Sequence, residues 1–143
     1  MTARQLKHGL FLGFLMLINP IFWGTAIAGD AMPVASYSLT QAAEGRELYA
    51  EHCATCHGMN LLGNESGPAL SGKAFQDRWA SRAAGQLFDL TTTSMPSTNP
   101  GGLVVRDYAA ILAFMLYENG YAASAVDLDL KSQLAHSATL GYP

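Results

Sequence analysis

Cysteine occurs twice in this sequence, within Cys53-Ala54-Thr55-Cys56-His57. Two thiols three positions apart, followed at once by an imidazole, have three kinds of chemistry open to them. A C-x-x-C pair can cycle as a redox disulfide or supply half of a zinc site. C-x-x-C-H is also the attachment signature of c-type haem: each thiol bonds one vinyl group of a single porphyrin, and the histidine reaches the iron. Zinc needs about four ligands, and the chain has no other cysteine. A thioredoxin-type disulfide needs a βαβ pattern around it, and none is visible. Neither alternative gives His57 a role. The motif therefore points to one haem c, covalently held by Cys53 and Cys56, with His57 on the iron.

One ligand leaves the far side of the iron open. Met59 is two residues from His57 and stays on its side of the haem. Met115 falls on the apolar face of a helical pattern, where a core role suits a thioether. Met32 lies in an irregular stretch. Met95 lies in a loop 38 residues after His57, far enough to wrap around a haem, and Pro96 restricts it to an extended backbone. Met95 is therefore the expected second ligand. His52 and His136 are the rivals; the plain reading of both is a surface histidine.

Helices must position these groups. A helix is expected from Thr40 as N-cap through Gln41 to His52. It carries Gly45, Leu48, Tyr49 and Cys53 on one stripe and Glu44, Glu47 and Glu51 on a solvated one. Residues 58 to 72, rich in Gly, Asn, Ser and Pro, read as loop. A helical turn is expected around Phe75 to Ser81, a helix over Gln86 to Thr92, and a loop from Thr93 to Gly102. The strongest helix spans Val105 to Glu118, with Tyr108, Ile111, Leu112, Phe114 and Met115 on its apolar face, and Asn119-Gly120 stops it. The tail from Tyr121 to Pro143 is weakly patterned, with a helical turn near Leu128 to Leu134. No repeat and no strand is evident.

The ends bound the compartment. Arg4, Lys7 and His8 precede an apolar run from Gly9 to Gly24, and Ala26-Ile27-Ala28 offers a small-x-small cleavage site. Residues 1–28 read as a cleavable signal peptide. The run is short for a membrane span and holds Pro20, so a membrane association arises only if the signal stays uncleaved. Export to an oxidising periplasm suits covalent haem. Residues 29–39 form an irregular leader, 40–120 one small domain, and 121–143 a C-terminal extension. Arg4 and Lys7 are the only Lys or Arg before Ala28, so 6 basic and all 11 acidic residues lie beyond it, a net charge of −5. Nucleic-acid binding needs a basic patch and is excluded as an expectation. An acidic surface can steer a partner with a basic face.

Taken together, Gly45-Arg46-Glu47-Leu48-Tyr49, Cys53-Ala54-Thr55-Cys56-His57-Gly58, Gly67-Pro68-Ala69-Leu70, Met95-Pro96 and the final helix with Tyr108, Ile111 and Phe114 resemble a class I c-type cytochrome over about residues 40–120. The resemblance implies an all-α globule around one covalently bound haem. Its first and last helices would cross at Gly45, packed by Tyr49 and Phe114. It also implies that the Pro68 carbonyl accepts a hydrogen bond from His57, fixing the ligand ring. The stretches 73–79 and 92–101 resemble cytochromes associated with periplasmic quinoprotein alcohol or sugar dehydrogenases. There Trp79, Arg78 and Arg82 are candidate donors to the haem propionates; the alternative is packing for Trp79 and solvation for the arginines. Val104 is a poor cap where such chains place Ser or Thr.

The function implied is that of a periplasmic electron carrier and not an enzyme. It would accept single electrons from a quinoprotein dehydrogenase and pass them towards a terminal oxidase or another cytochrome. Iron held by His57 and Met95 would have no open position for substrate, and methionine ligation raises the potential. The alternatives are a dedicated cytochrome subunit of a dehydrogenase complex, a haem enzyme or sensor with an open distal site, and a disulfide domain without haem.

Overall fold

Residues 108–116 are apolar and buried on every side of their helix. Such a helix needs neighbours all around it, and the rest of the chain is arranged to supply them. The computed structural model describes residues 36–131 and 136–143. The expected signal peptide, the leader up to residue 35 and Met32 lie outside the described residues. The described residues form α1 (Leu39–His52), α2 (Ala54–His57), α3 (Gly72–Trp79), α4 (Ala84–Ser94) and α5 (Val105–Glu118). Among them there are only two isolated β-bridges and no strand, so the fold is all-α. None of the described helices is long and apolar enough to cross a membrane.

The main packing pair is α1 on α5. They meet at Gly45, where an added Cβ would lie 1.8 Å from the Ala110 carbonyl oxygen. Only a residue without Cβ allows two backbones to approach so closely. One turn further on, the Tyr49 and Phe114 rings pack with centroids 5.3 Å apart, tilted by 55°. Arg46 lies 5.1 Å over the Phe114 ring and reaches Glu118 at 3.1 Å, covering the crossing from outside. Glu44, Glu47 and Glu51 face solvent.

Several boundaries differ from the expectation. The N-cap of α1 is Ser38, not Thr40: its Oγ accepts from the Gln41 N–H at 3.0 Å and donates to Asp127. A partner far along the chain thus chooses between two hydroxyl residues that are locally equivalent. Helix α3 begins at Gly72, three residues before Phe75, because the Gly72 N–H is received by the Asn119 side chain at 3.0 Å. Helix α4 is longer at both ends than Gln86 to Thr92. Gln86 accepts from the Ala83 N–H at 3.3 Å at its start. Thr91, Thr92 and Thr93 donate back to carbonyls four residues earlier at its end. Helix α5 runs over the expected residues, starting after Val104 with no side-chain cap and ending at Asn119 with Gly120 at φ +83°.

Of the expected helical turn at Leu128 to Leu134, Leu130 and Lys131 lie in a turn, and 132–135 lie outside the described residues. The described part of the tail forms a strap. Tyr121, Leu128, Leu130, Ala138 and Leu140 are buried, and all but Ala138 join the cluster around α5. Gln41 binds both backbone groups of Leu128, accepting at 2.7 Å and donating at 3.1 Å. Tyr37 donates to the Tyr121 carbonyl at 2.5 Å and Tyr121 to that of Gly141 at 2.8 Å. Residues 138–141 then pair with 80–84 through three backbone hydrogen bonds of 2.8 to 3.0 Å. A strap held by backbone pairing leaves little periodicity to read.

Candidate functional site

Between the end of α1, the loop 58–71 and helices α3, α4 and α5 lies a cavity of about 680 Å³. Cys53, Cys56 and His57 form part of its wall, and Met95 another part. Both cysteines are free thiols. Burial, and then the neighbouring Cys56, pushes the Cys53 thiol up to about 11. That direction is the opposite of an activated redox thiolate, which needs a lowered pKa. Among the described residues no group of three or more His, Cys, Asp or Glu gathers as a metal cluster, so no zinc-type set surrounds the two thiols.

His57 is 7% exposed. Its Nδ1 lies 2.8 Å from the Pro68 carbonyl oxygen. A carbonyl can only accept, so Nδ1 carries the proton and Nε2 keeps the lone pair that a metal needs. The approach is tight: a Cβ on Gly67 would lie 2.7 Å from the Cys56 carbonyl oxygen and 3.0 Å from the His57 ring. The loop that delivers Gly67 and Pro68 is fastened from both crossing helices. Tyr49 donates to the Gly58 carbonyl at 2.7 Å. Asn119 donates to Leu70 at 2.9 Å while accepting from Gly72 at 3.0 Å. Asn119 was legible only as a helix stop; its buried amide also anchors this loop.

Met95 follows α4 with an extended backbone, φ −125° and ψ 153°. The Met95–Pro96 peptide is cis. Its carbonyl accepts from the Tyr108 hydroxyl at 2.6 Å and from the Gly101 N–H at 3.3 Å. Met115 and Ile111 of α5 also line the cavity, and Met115 is buried in the core. Met59 is exposed and outside the cavity wall. His136 is not in the wall; it lies against Gly85, 3.4 Å from Asp89. His52 is in the wall, with its Nε2 3.7 Å from Glu51.

Trp79 is buried, and it lines the cavity together with Arg78. Arg82 does not line it. The guanidinium groups of Arg78 and Arg82 each lie 5.4 Å from the Trp79 ring centroid, so Arg82 is a cation over that ring. The residues present fit a haem. The wall offers two thiols, one imidazole with its metal-binding nitrogen left for a ligand bond, one thioether, and apolar cover from Leu87, Ile111 and Met115.

A segment of 51 residues is 49% identical to the cytochrome bc1 complex cytochrome c subunit of Corynebacterium efficiens, covering 34% of this chain and 17% of that protein. The chain thus spans under a fifth of that relative. The crystal structure of the sulfane dehydrogenase SoxCD from Paracoccus pantotrophus is similar at 32% identity and a TM-score of 0.45, over 75% of this chain and 55% of that one. Residues 40–115, more than half of the chain and reaching from the first turn of α1 to the last turn of α5, match the family described as cytochrome C oxidase, cbb3-type, subunit III. The chain belongs to that family of c-type cytochromes, and its single C-x-x-C-H run makes it a class I, monohaem member.

Proposed function

We propose that the protein is an exported carrier of single electrons, with one haem c bound covalently through Cys53 and Cys56 and ligated by His57 and Met95. The observation that carries this reading is the meeting, in one cavity wall, of both thiols, Met95 and a His57 whose Nδ1 is held by Pro68. When bound, the haem supplies a one-electron couple between ferrous and ferric iron. The chain's own residues do the rest. Pro68 fixes the His57 tautomer and ring orientation. The α4 terminus presents the Met95 thioether. Leu87, Ile111 and Met115 keep water from the cavity. Trp79 and Arg78 offer donors suited to propionates. Arg82 acts through its contact with Trp79.

The proposed donor is a periplasmic quinoprotein dehydrogenase, and the proposed acceptor a terminal oxidase or another cytochrome. The resemblance over 73–79 and 92–101 supports the donor. A dedicated subunit of a larger redox complex is the second reading, favoured by the bc1-complex subunit among the relatives. Ferric protein mixed with native periplasm and a panel of alcohols and sugars separates these readings. Substrate-dependent reduction by a separable enzyme supports the shuttle. Reduction only by a co-purifying complex supports the subunit. For the cofactor, replacing both Cys53 and Cys56 by Ala should lose the covalent haem signal that the native chain retains in a denaturing gel.

A further inference from the structure

Residues 95–103 form a loop whose hydrogen bonds turn inward. Asn99 N–H donates to Pro96, Gly102 N–H to Asn99 and Gly101 N–H to Met95. Among the described residues, no hydrogen bond ties 96–102 to the helical body. The ties stand at the two ends of the loop: the Met95 N–H donates to the Thr91 carbonyl of α4 at 3.0 Å, and one side chain makes the other two. The Tyr108 hydroxyl donates to the Met95 carbonyl at 2.6 Å and accepts from the Leu103 N–H at 3.4 Å. Tyr108 is itself seated in the core. It is 2% exposed, in the first turn of α5, a helix locked against α1 by the close approach at Gly45.

We propose that Tyr108 is a positioning residue, a clasp that closes both ends of the 95–103 loop and so holds the Met95 thioether in the cavity. The proposal rests on Met95 as the second iron ligand. A loop whose interior bonds only to itself, and whose one other tie is the Met95–Thr91 backbone bond, swings about the α4 terminus when the clasp is released. Its closure is an equilibrium that a fixed donor at one end and a fixed acceptor at the other bias in the same direction. The apolar ring fills core space; the hydroxyl alone makes the clasp. Tyr108→Phe therefore removes the clasp and keeps the packing.

The test is imidazole binding to the ferric haem-loaded protein, read from its visible spectrum, because imidazole binds only when Met95 has left. Tyr108→Phe should bind imidazole at least about fivefold more tightly, fivefold being the population change expected from losing one hydrogen bond of the two. Amide exchange at Gly101 and Leu103 should quicken in that variant while α1 and the rest of α5 stay protected. Unchanged imidazole affinity in a folded Tyr108→Phe protein overturns the clasp. Should that variant fail to fold, the native chain gives the answer. Saturating imidazole should then deprotect the Leu103 amide, and a Leu103 amide that stays protected overturns the clasp as well. Met95→Ala separates the two failures. If it binds imidazole no better than the native protein, the ligand assignment falls and the clasp with it. If it binds much better while Tyr108→Phe does not, only the clasp falls.

Discussion

Gly67 sets how closely the loop can approach His57, and so whether Pro68 reaches Nδ1. With a Cβ, Gly67→Ala would press on the Cys56 carbonyl at 2.7 Å and the His57 ring at 3.0 Å. Neither neighbour is a flexible chain end, so the substitution should cost about 1–3 kcal/mol and displace His57 from its acceptor. A lower urea midpoint together with a perturbed ferric spectrum would show this; an unchanged spectrum would mean the ring does not depend on the loop. Cys53, Cys56 and His57 were legible because attachment chemistry fixes their spacing. The place of Met95 in the cavity wall was legible through Pro96 and its distance along the chain. Pro68 came only through resemblance, since a backbone carbonyl has no residue signature. Tyr108 and Asn119 were read for their apolar face and their helix-stopping chemistry. Their polar ends bond to backbone atoms between 4 and 49 residues away, which no local pattern encodes. The one available signal was that a buried tyrosine hydroxyl needs a partner.

At the scale of the element, the crossing of α1 and α5 frames the site. Cys53 and His57 continue from one helix; Ile111 and Met115 belong to the other. Gly45→Ala would drive a Cβ to within 1.8 Å of a backbone carbonyl. The helices must separate, and a loss of at least about 3 kcal/mol is expected, at the upper end of overpacking. Glu47→Ala on the exposed face of the same helix should stay within about 0.5 kcal/mol. Chemical denaturation of both variants checks the pair, and equal effects would mean the crossing is looser than its geometry. The apolar periodicity of 105–118 made α5 legible to the residue. Its ends are set by local backbone chemistry, with Val104 extended and Gly120 at positive φ. The starts of α1 and α3 were misplaced because Asp127 and Asn119, distant in sequence, decide them.

Across the whole molecule, the tail converts an open helical pair into a closed body, and three buried tyrosines tie that closure to pH. Burial raises Tyr37 and Tyr121 above the ordinary phenol value, and raises Tyr49 to about 12, with a smaller contribution from Cys53. Each phenol donates to a backbone carbonyl: Tyr37 to Tyr121, Tyr121 to Gly141, and Tyr49 to Gly58. A phenolate can donate nothing, so ionisation would break the strap twice and the hold on the 58–71 loop once. The folded chain holds these protons more tightly than the unfolded chain does. Their contribution is therefore complete below pH 10. It declines as the unfolded phenols ionise above that value, and for Tyr49 it is gone near pH 12. The urea midpoint should accordingly be flat in this respect up to about pH 10 and fall beyond it. Tyr49→Phe should make that fall shallower, because one proton is removed from the balance. Gln41→Ala supplies the matching loss at neutral pH. It leaves both backbone groups of Leu128 without their side-chain partner and should cost about 2–4 kcal/mol. That loss should be independent of pH between 6 and 9, since no titrating group takes part. A pH-independent midpoint up to about 12 would mean that the strap is held by Leu128, Leu130 and Leu140 rather than by the phenols. In that case the Gln41 and Tyr49 variants would separate apolar cover from hydrogen bonding as the source of closure.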